Sequence, residues 1–240
     1  MVSIIIPAHE EAKYIGVSLE KILNQKDVVY INKNTDLKAI AAETSDRILC
    51  EITVVVSKGK DNTEDIVGQH PKVNMIAGNF KGVSDARNIG AKASRGDVLL
   101  FLDADTLLNE GFIKKLDSLK NSTNIIGTSK LYPDIQSIKA RIFMFCNNIA
   151  HIISKTSMAL IFCHREIYDK VKGFDENMPA GEDLKFIKLA LNEHAKFKYF
   201  GDISAVTSMR RFETVGYLKI TFEWIKGYFF KPPSYYDVVR

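Results

Sequence analysis

Five uninterrupted apolar residues, Val98-Leu-Leu-Phe-Leu102, run directly into two acids one residue apart, Asp103-Ala104-Asp105. The run is too short for a buried helix and has no polar side for solvent, so it fits a strand covered on both faces. Two similar runs precede it. Residues 2–6 are stopped by Pro7, and residues 52–56 end in the turn-like Ser57-Lys-Gly-Lys-Asp-Asn62. A third strand is expected at 73–77. Helical spacing fills the gaps, with Ile15, Leu19, Ile22 and Leu23 on one face of 11–23, a short helix at 63–67 and another at 84–93. Strands alternating with helices predict an α/β domain with a mostly parallel central sheet flanked by helices.

The remainder is less regular. Residues 25–50 read as a polar surface excursion with a weak helix at 36–48. Beyond Asp105, strands are expected at 125–131 and 158–162, and helices at 138–154 and 182–192. A last helix over 214–230 has Val215, Leu218, Phe222, Ile225 and Phe229 in register and is stopped by Pro232-Pro233.

At 240 residues, with 46% hydrophobic and 26% charged, the chain has the balance of an ordinary globular domain. Cys50, Cys146 and Cys163 form no metal-type spacing, and buried thiols in a reduced, cytoplasmic setting are expected. No secretory signal is visible. The apolar stretch 142–162 is broken by Asn147, Asn148, His151, Ser154 and Lys155, which argues against a span. Residues 196–240 hold eight basic and four acidic residues, the whole +4 surplus, with nine aromatics from Phe212 to Tyr236. Such a tail suits a packed amphipathic helix, a homodimer contact, or peripheral contact of 212–231 with the inner face of a membrane. No nucleic-acid partner is expected.

Two carboxylates this close repel each other unless a cation compensates them, and oxygen-only ligands suit Mn²⁺ or Mg²⁺. At the carboxyl end of a parallel strand they would face the crevice where ligands of open α/β sheets bind. An acidic surface turn is the plain alternative. Two enzyme classes carry this local string. In a phosphohydrolase of the haloacid-dehalogenase kind, Asp103 would be the nucleophile and Asp105 the acid/base. That class expects its motif in the first strand and a second acidic pair later, and Gly201-Asp202 is followed by no second acid. The other class is a GT-A glycosyltransferase, where Asp-x-Asp holds a metal and a sugar nucleotide.

Four more stretches, in order, resemble family 2 glycosyltransferases. Val2-Ser-Ile-Ile-Ile-Pro-Ala-His-Glu-Glu11 is similar to that family's opening strand and turn. Lys81-Gly-Val-Ser-Asp-Ala-Arg-Asn-Ile-Gly90, followed by Ala93-Ser-Arg-Gly-Asp97, resembles the segment leading into Asp-x-Asp. Cys163-His-Arg-Glu166 through Val171-Lys-Gly-Phe-Asp-Glu176 resembles the acceptor-side turn, and Gly181-Glu182-Asp183 the Glu-Asp pair opening a helix.

The resemblance implies a single GT-A domain over 1–240, divided into a nucleotide-sugar-binding half (1–107), an acceptor-side half (108–211) and a C-terminal helix and tail (212–240). It implies a nucleoside-diphosphate-sugar donor, a glycan or lipid-linked acceptor, and inverting transfer. Pro7, Ala8, His9 and Glu11 would face the nucleotide, Ala104 would lie between the metal ligands Asp103 and Asp105, and Arg87 would pair with the diphosphate. Asp183 would be the general base, with Glu182 orienting the acceptor or capping its helix. Gly90 would permit close helix packing.

Three departures stand out. Ser57-Lys58 replace the family's usual acidic pair, and His9 its usual Tyr. Ser208-Met-Arg-Arg-Phe212 stands where processive members carry Gln-x-x-Arg-Trp, so Arg210 and Arg211 are expected either to close over the donor diphosphate or to meet an anionic acceptor. A non-catalytic nucleotide-binding or membrane-docking module on the same shell is the rival reading. A nucleotidyltransferase would need a Gly-rich signature after the first strand, which is missing.

Overall fold

The computed structural model describes residues 1–44 and 46–229. Its strands in chain order are β1 (Val2–Ala8), β2 (Val28–Ile31), β3 (Ile48–Ser57), β4 (Val73–Gly78), β5 (Val98–Leu102), β6 (Thr106–Leu108), β7 (Ile125–Pro133), β8 (Leu160–His164) and β9 (Lys196–Thr207). Its helices are α1 (Ile15–Leu23), α2 (Leu37–Glu43), α3 (Thr63–Gly68), α4 (Val83–Ala93), α5 (Phe112–Asp117), α6 (Ile138–Ser154), α7 (Arg165–Val171), α8 (Glu182–Asn192), α9 (Arg210–Val215) and α10 (Tyr217–Phe229).

All nine strands join one sheet in the order β2-β3-β1-β5-β8-β7-β9-β6, with β4 also on β3. Pairings around β1, β3 and β5 are parallel, as is β7 with β9. The sheet turns antiparallel at β5–β8, β7–β8 and β6–β9. The apolar runs are unbroken because both faces are covered. Ile4, Ile6, Leu100 and Leu102 pack towards α1, α5 and α6, while Ile5, Leu99 and Phe101 pack towards α4, α7 and α8. Fully burying each such side chain contributes about 1.5–3 kcal/mol relative to exposure.

Several expectations are corrected. Residues 25–50 are not merely a surface excursion: β2 extends the sheet, and Arg95 donates to Asn32 O (2.8 Å) and Thr35 O (3.2 Å) while pairing with buried Glu51. The first helix starts at Ile15 rather than Glu11, because residues 9–14 form a turn held by partners elsewhere in the chain. The last helix is two helices, broken at Gly216, whose φ of 99° belongs to no helix. Pro232-Pro233 lie outside the described residues. Cys146 is exposed, unlike Cys50 and Cys163.

Candidate active site

The turn after β5 is fixed by its backbone. Asp103 N donates to Ala159 O (2.8 Å) and Thr106 N to Asp103 O (3.1 Å), so Asp103 and Asp105 leave the sheet at its carboxyl edge with Ala104 buried between them. Arg87 lies in the second turn of α4, 7% exposed, with its guanidinium 5.2 Å from the Phe174 ring centre. Its fork joins two distant elements: Nη2 donates to Asp103 Oδ1 and Nη1 to Glu182 Oε1, both at 2.9 Å. Burial opposes the Arg87 charge, but Asp103, Glu182 and Asp183 outweigh it and hold the proton more firmly.

Glu182 and Asp183 open α8 after Gly181, whose left-handed φ of 74° makes the sharp entry. Asp183 Oδ1 accepts from Leu184 N at 2.7 Å. Its carboxyl is pushed up to about 7, first by burial and then by Glu182, with Arg87 pulling the other way. Asp103, with 39% of its side chain exposed, is also raised by desolvation, against Arg87.

A second arginine closes the other side. Arg210, at the start of α9, lies 4.7 Å from the Tyr14 ring centre, pairs with Glu11, and reaches Asp105 Oδ2 at 3.2 Å. Asp105 is pushed up to about 7 by burial and by Asp103, and Arg210 offsets only part of this. Glu11 is raised by burial despite the same arginine, and its Oε2 is buried with no hydrogen-bond partner. Arg87 and Arg210 thus tie Glu11, Asp103, Asp105 and Glu182 together, with Asp183 beside them.

The neighbouring loops form the rim. Pro7 and Ala8 end β1 beside Val55 and Val56, and His9 Nδ1 lies 3.3 Å from Ser57 O. Ser57 contributes its backbone there, Lys58 is exposed, and Arg211 is half-buried beside Arg210. Sequence reasoning missed Asp61, which accepts from Ala12 N (3.0 Å) and Thr63 Oγ1 (2.7 Å). Burial would raise Asp61, but these bonds and His9 hold it below the ordinary range. Its signal was its place in the 57–62 turn, four residues after Ser57. Tyr14 and Asn88 were missed as well. Asn88 clamps the turn at 173–176 through Phe174 O (2.8 Å), Phe174 N (2.9 Å) and Glu176 Oε1 (2.9 Å), and no periodicity foretells that.

Comparison with known proteins adds the following. The sequence model of glycosyl transferase family 2 matches residues 3–124. The glycosyltransferase AglE of Haloferax volcanii is 24% identical over 224 residues, 88% of this chain and 68% of that protein. S. aureus TarS 1–349, solved with UDP-GlcNAc, superposes with a TM-score of 0.61 at 19% identity, covering 86% of this chain. The mannosyltransferase PcManGT from Pyrobaculum calidifontis, solved with GDP-Man and Mn²⁺, gives 0.61 at 17% identity and 85% coverage. The chain spans 58% and 56% of those two solved chains. At such identities, the structural likeness establishes the shared GT-A fold.

Proposed function

Because the chain belongs to glycosyl transferase family 2, we propose that it moves a sugar from a nucleoside-diphosphate sugar to an acceptor hydroxyl or lipid phosphate, with inversion and with a divalent metal. The observation that carries this reading is the Arg87 fork, which ties Asp103 at the end of β5 to Glu182 beside Asp183.

In this reading Asp183 takes the proton of an acceptor hydroxyl as its oxygen bonds to the anomeric carbon. The bond from that carbon to the diphosphate breaks on the opposite side, and the nucleoside diphosphate leaves with the electron pair. A carboxylate titrating near neutrality is a competent base for this step. Arg87, with both ends of its fork engaged by Asp103 and Glu182, orients those acids, and Arg210 is the guanidinium that faces diphosphate oxygens. The loop at His9 and Ser57, with Asp61 supporting it, receives the nucleoside.

The residues fit Mn²⁺ or Mg²⁺. Asp103 and Asp105 supply hard oxygen ligands, and the buried, unpartnered Glu11 Oε2 is an acceptor for an ion or its water. Among the described residues no three acids, histidines or cysteines are grouped so as to hold an ion by themselves. When bound, the metal supplies charge neutralisation for the departing diphosphate.

The test is sugar release and transfer from UDP-, GDP- and TDP-sugars, with Mn²⁺ and with chelator. Asp105→Ala and Asp183→Asn should each lower turnover by about a hundredfold or more while retaining the melting transition. Wild-type rates from either variant would refute the assignment.

A further inference from the structure

The core leaves two helices with apolar residues facing outward. On α6, Ile138, Ile142, Phe145, Ile149, Ile152 and Ile153 are 42–78% exposed. Their spacing of four, three, four, three and one makes a single stripe along a helix about 25 Å long. On α10, Leu218, Phe222, Ile225 and Phe229 are 53–87% exposed at spacings of four, three and four. Exposed apolar surface this continuous marks an interaction site.

The two helices lie side by side and run in the same direction. Lys139 at the start of α6 sits 4.1 Å from the ring centre of Tyr217 at the start of α10. Phe143 packs on Tyr217 (5.0 Å) and Trp224 (6.5 Å), and Tyr228 donates to Ser154 O (3.5 Å) at the far ends. Each helix turns one side to the core, Ala140 and Met144 on α6 and Ile220 on α10. At 100° per residue, with the neighbour and core directions fixed by these contacts, both stripes emerge on the same outward side.

The charge around this side is mostly positive. α6 and its C-cap carry Lys139, Arg141 and Lys155 and no acid, and α10 carries Lys219 and Lys226 against Glu223. By helical position Arg141 borders the joint stripe on the flank away from α10, and Lys219 and Lys226 border the flank away from α6. A groove of about 320 Å³ between β7 and α6, lined in part by Lys130, Tyr132 and Arg141, opens beside it. Apolar and aromatic residues flanked by cations match a bilayer surface, where acyl chains meet anionic headgroups. No described helix is long and apolar enough to cross a membrane, so such contact lies on the surface.

We propose that the outward stripes of α6 and α10 form one surface that docks on an anionic lipid bilayer. This rests on the two helices alone and holds whether or not the reading of the crevice does.

The experiment is flotation of the full chain with vesicles of phosphatidylcholine alone and of phosphatidylcholine mixed with phosphatidylglycerol. Binding is expected only to the anionic vesicles and should weaken as salt rises. Phe145→Ser combined with Ile149→Ser changes α6 only, at exposed positions, and should cut binding about tenfold with an unchanged circular-dichroism melt. Arg141→Glu with Lys226→Glu keeps the apolar stripes and should weaken anionic binding to a similar degree. The proposal is overturned by absence of flotation, by equal binding to neutral vesicles, or by indifference to the α6 substitutions. It is also overturned if the chain ignores vesicles and sediments as a dimer that those substitutions dissolve, which would give the surface to a second copy.

Discussion

Arg210 Nη2 stands 3.2 Å from Asp105 Oδ2, and the same guanidinium holds Glu11. Arg210 thus pairs with the acid that follows β5, across 105 positions of sequence. A cation bound at Asp105 and this arginine compete for the same negative charge.

Replacing Arg210 by Gln should therefore tighten Mn²⁺ binding in the absence of donor. A unit charge a few ångströms away, even at an effective dielectric near 20, is ample for about a tenfold change. Calorimetric titration at pH 8, with Asp105 ionised, measures it. Unchanged affinity would mean that Arg210 and the metal do not share a site.

Arg87 compensates two acids at once, so Arg87→Ala leaves Asp103 and Glu182 facing each other. Breaking a buried pair typically costs about 3–5 kcal/mol. Because Asp103 keeps 39% of its side chain in contact with water, the loss expected here is about 2–4 kcal/mol. Arg87→Lys should recover less than half, since an ammonium cannot reproduce the fork. Urea denaturation reads both, and a loss below about 1 kcal/mol for the alanine variant would contradict the account.

Asp183 makes activity and stability run in opposite directions with pH. As the proposed base it must be ionised, so on that proposal kcat/KM should climb as pH rises through about 7 and then level. Its folded-state value lies above the unfolded 3.8, so the folded protein holds the extra proton between those limits. Stability should accordingly be greatest below pH 4 for this group's contribution and fall as pH rises towards 7. Asp183→Asn should flatten that part of the melting-temperature profile; an identical slope in the variant would exclude the group.

Gly90 lets α4 lie against the sheet. A methyl group there would collide with the side chains of Ile5 and Val55, whereas one at Gly68 meets nothing. Overpacking costs about 1–3 kcal/mol against about 1 kcal/mol gained in helix propensity, so Gly90→Ala should lower stability by about 1 kcal/mol. Gly68→Ala, at the end of α3, should raise it slightly. Thermal melts of the pair distinguish steric closeness from a general effect of glycine.

Much of the fold could be read without coordinates because burial on both faces leaves a mark in one dimension. The runs at β1, β3 and β5 are almost wholly apolar, and α6 and α8 have the bounds expected from the sequence, 138–154 and 182–192. Strand β9 was not foreseen, although Lys196 and Lys198 alternating with Phe197 and Tyr199 carry a two-residue period. The three-residue β6 is too short to show any period, and it exists only through its pairing with β9. The extent of the antiparallel half, and the place of β2 in the sheet, depend on partners far away in the chain.

The sequence by itself determined which strand carries the acids, because an apolar run ending in Asp103 and Asp105 admits few other placements. It could also nominate Asp183 and Arg87 by their resemblance to a known order of motifs. Only the tertiary structure decided that Arg87 forks between Asp103 and Glu182, that Arg210 folds back onto Glu11 and Asp105, and that α6 and α10 line up their apolar stripes. Local pattern follows from each residue's own geometry and hydration. Ion pairing and shared surfaces depend on distances that exist only after the chain has packed.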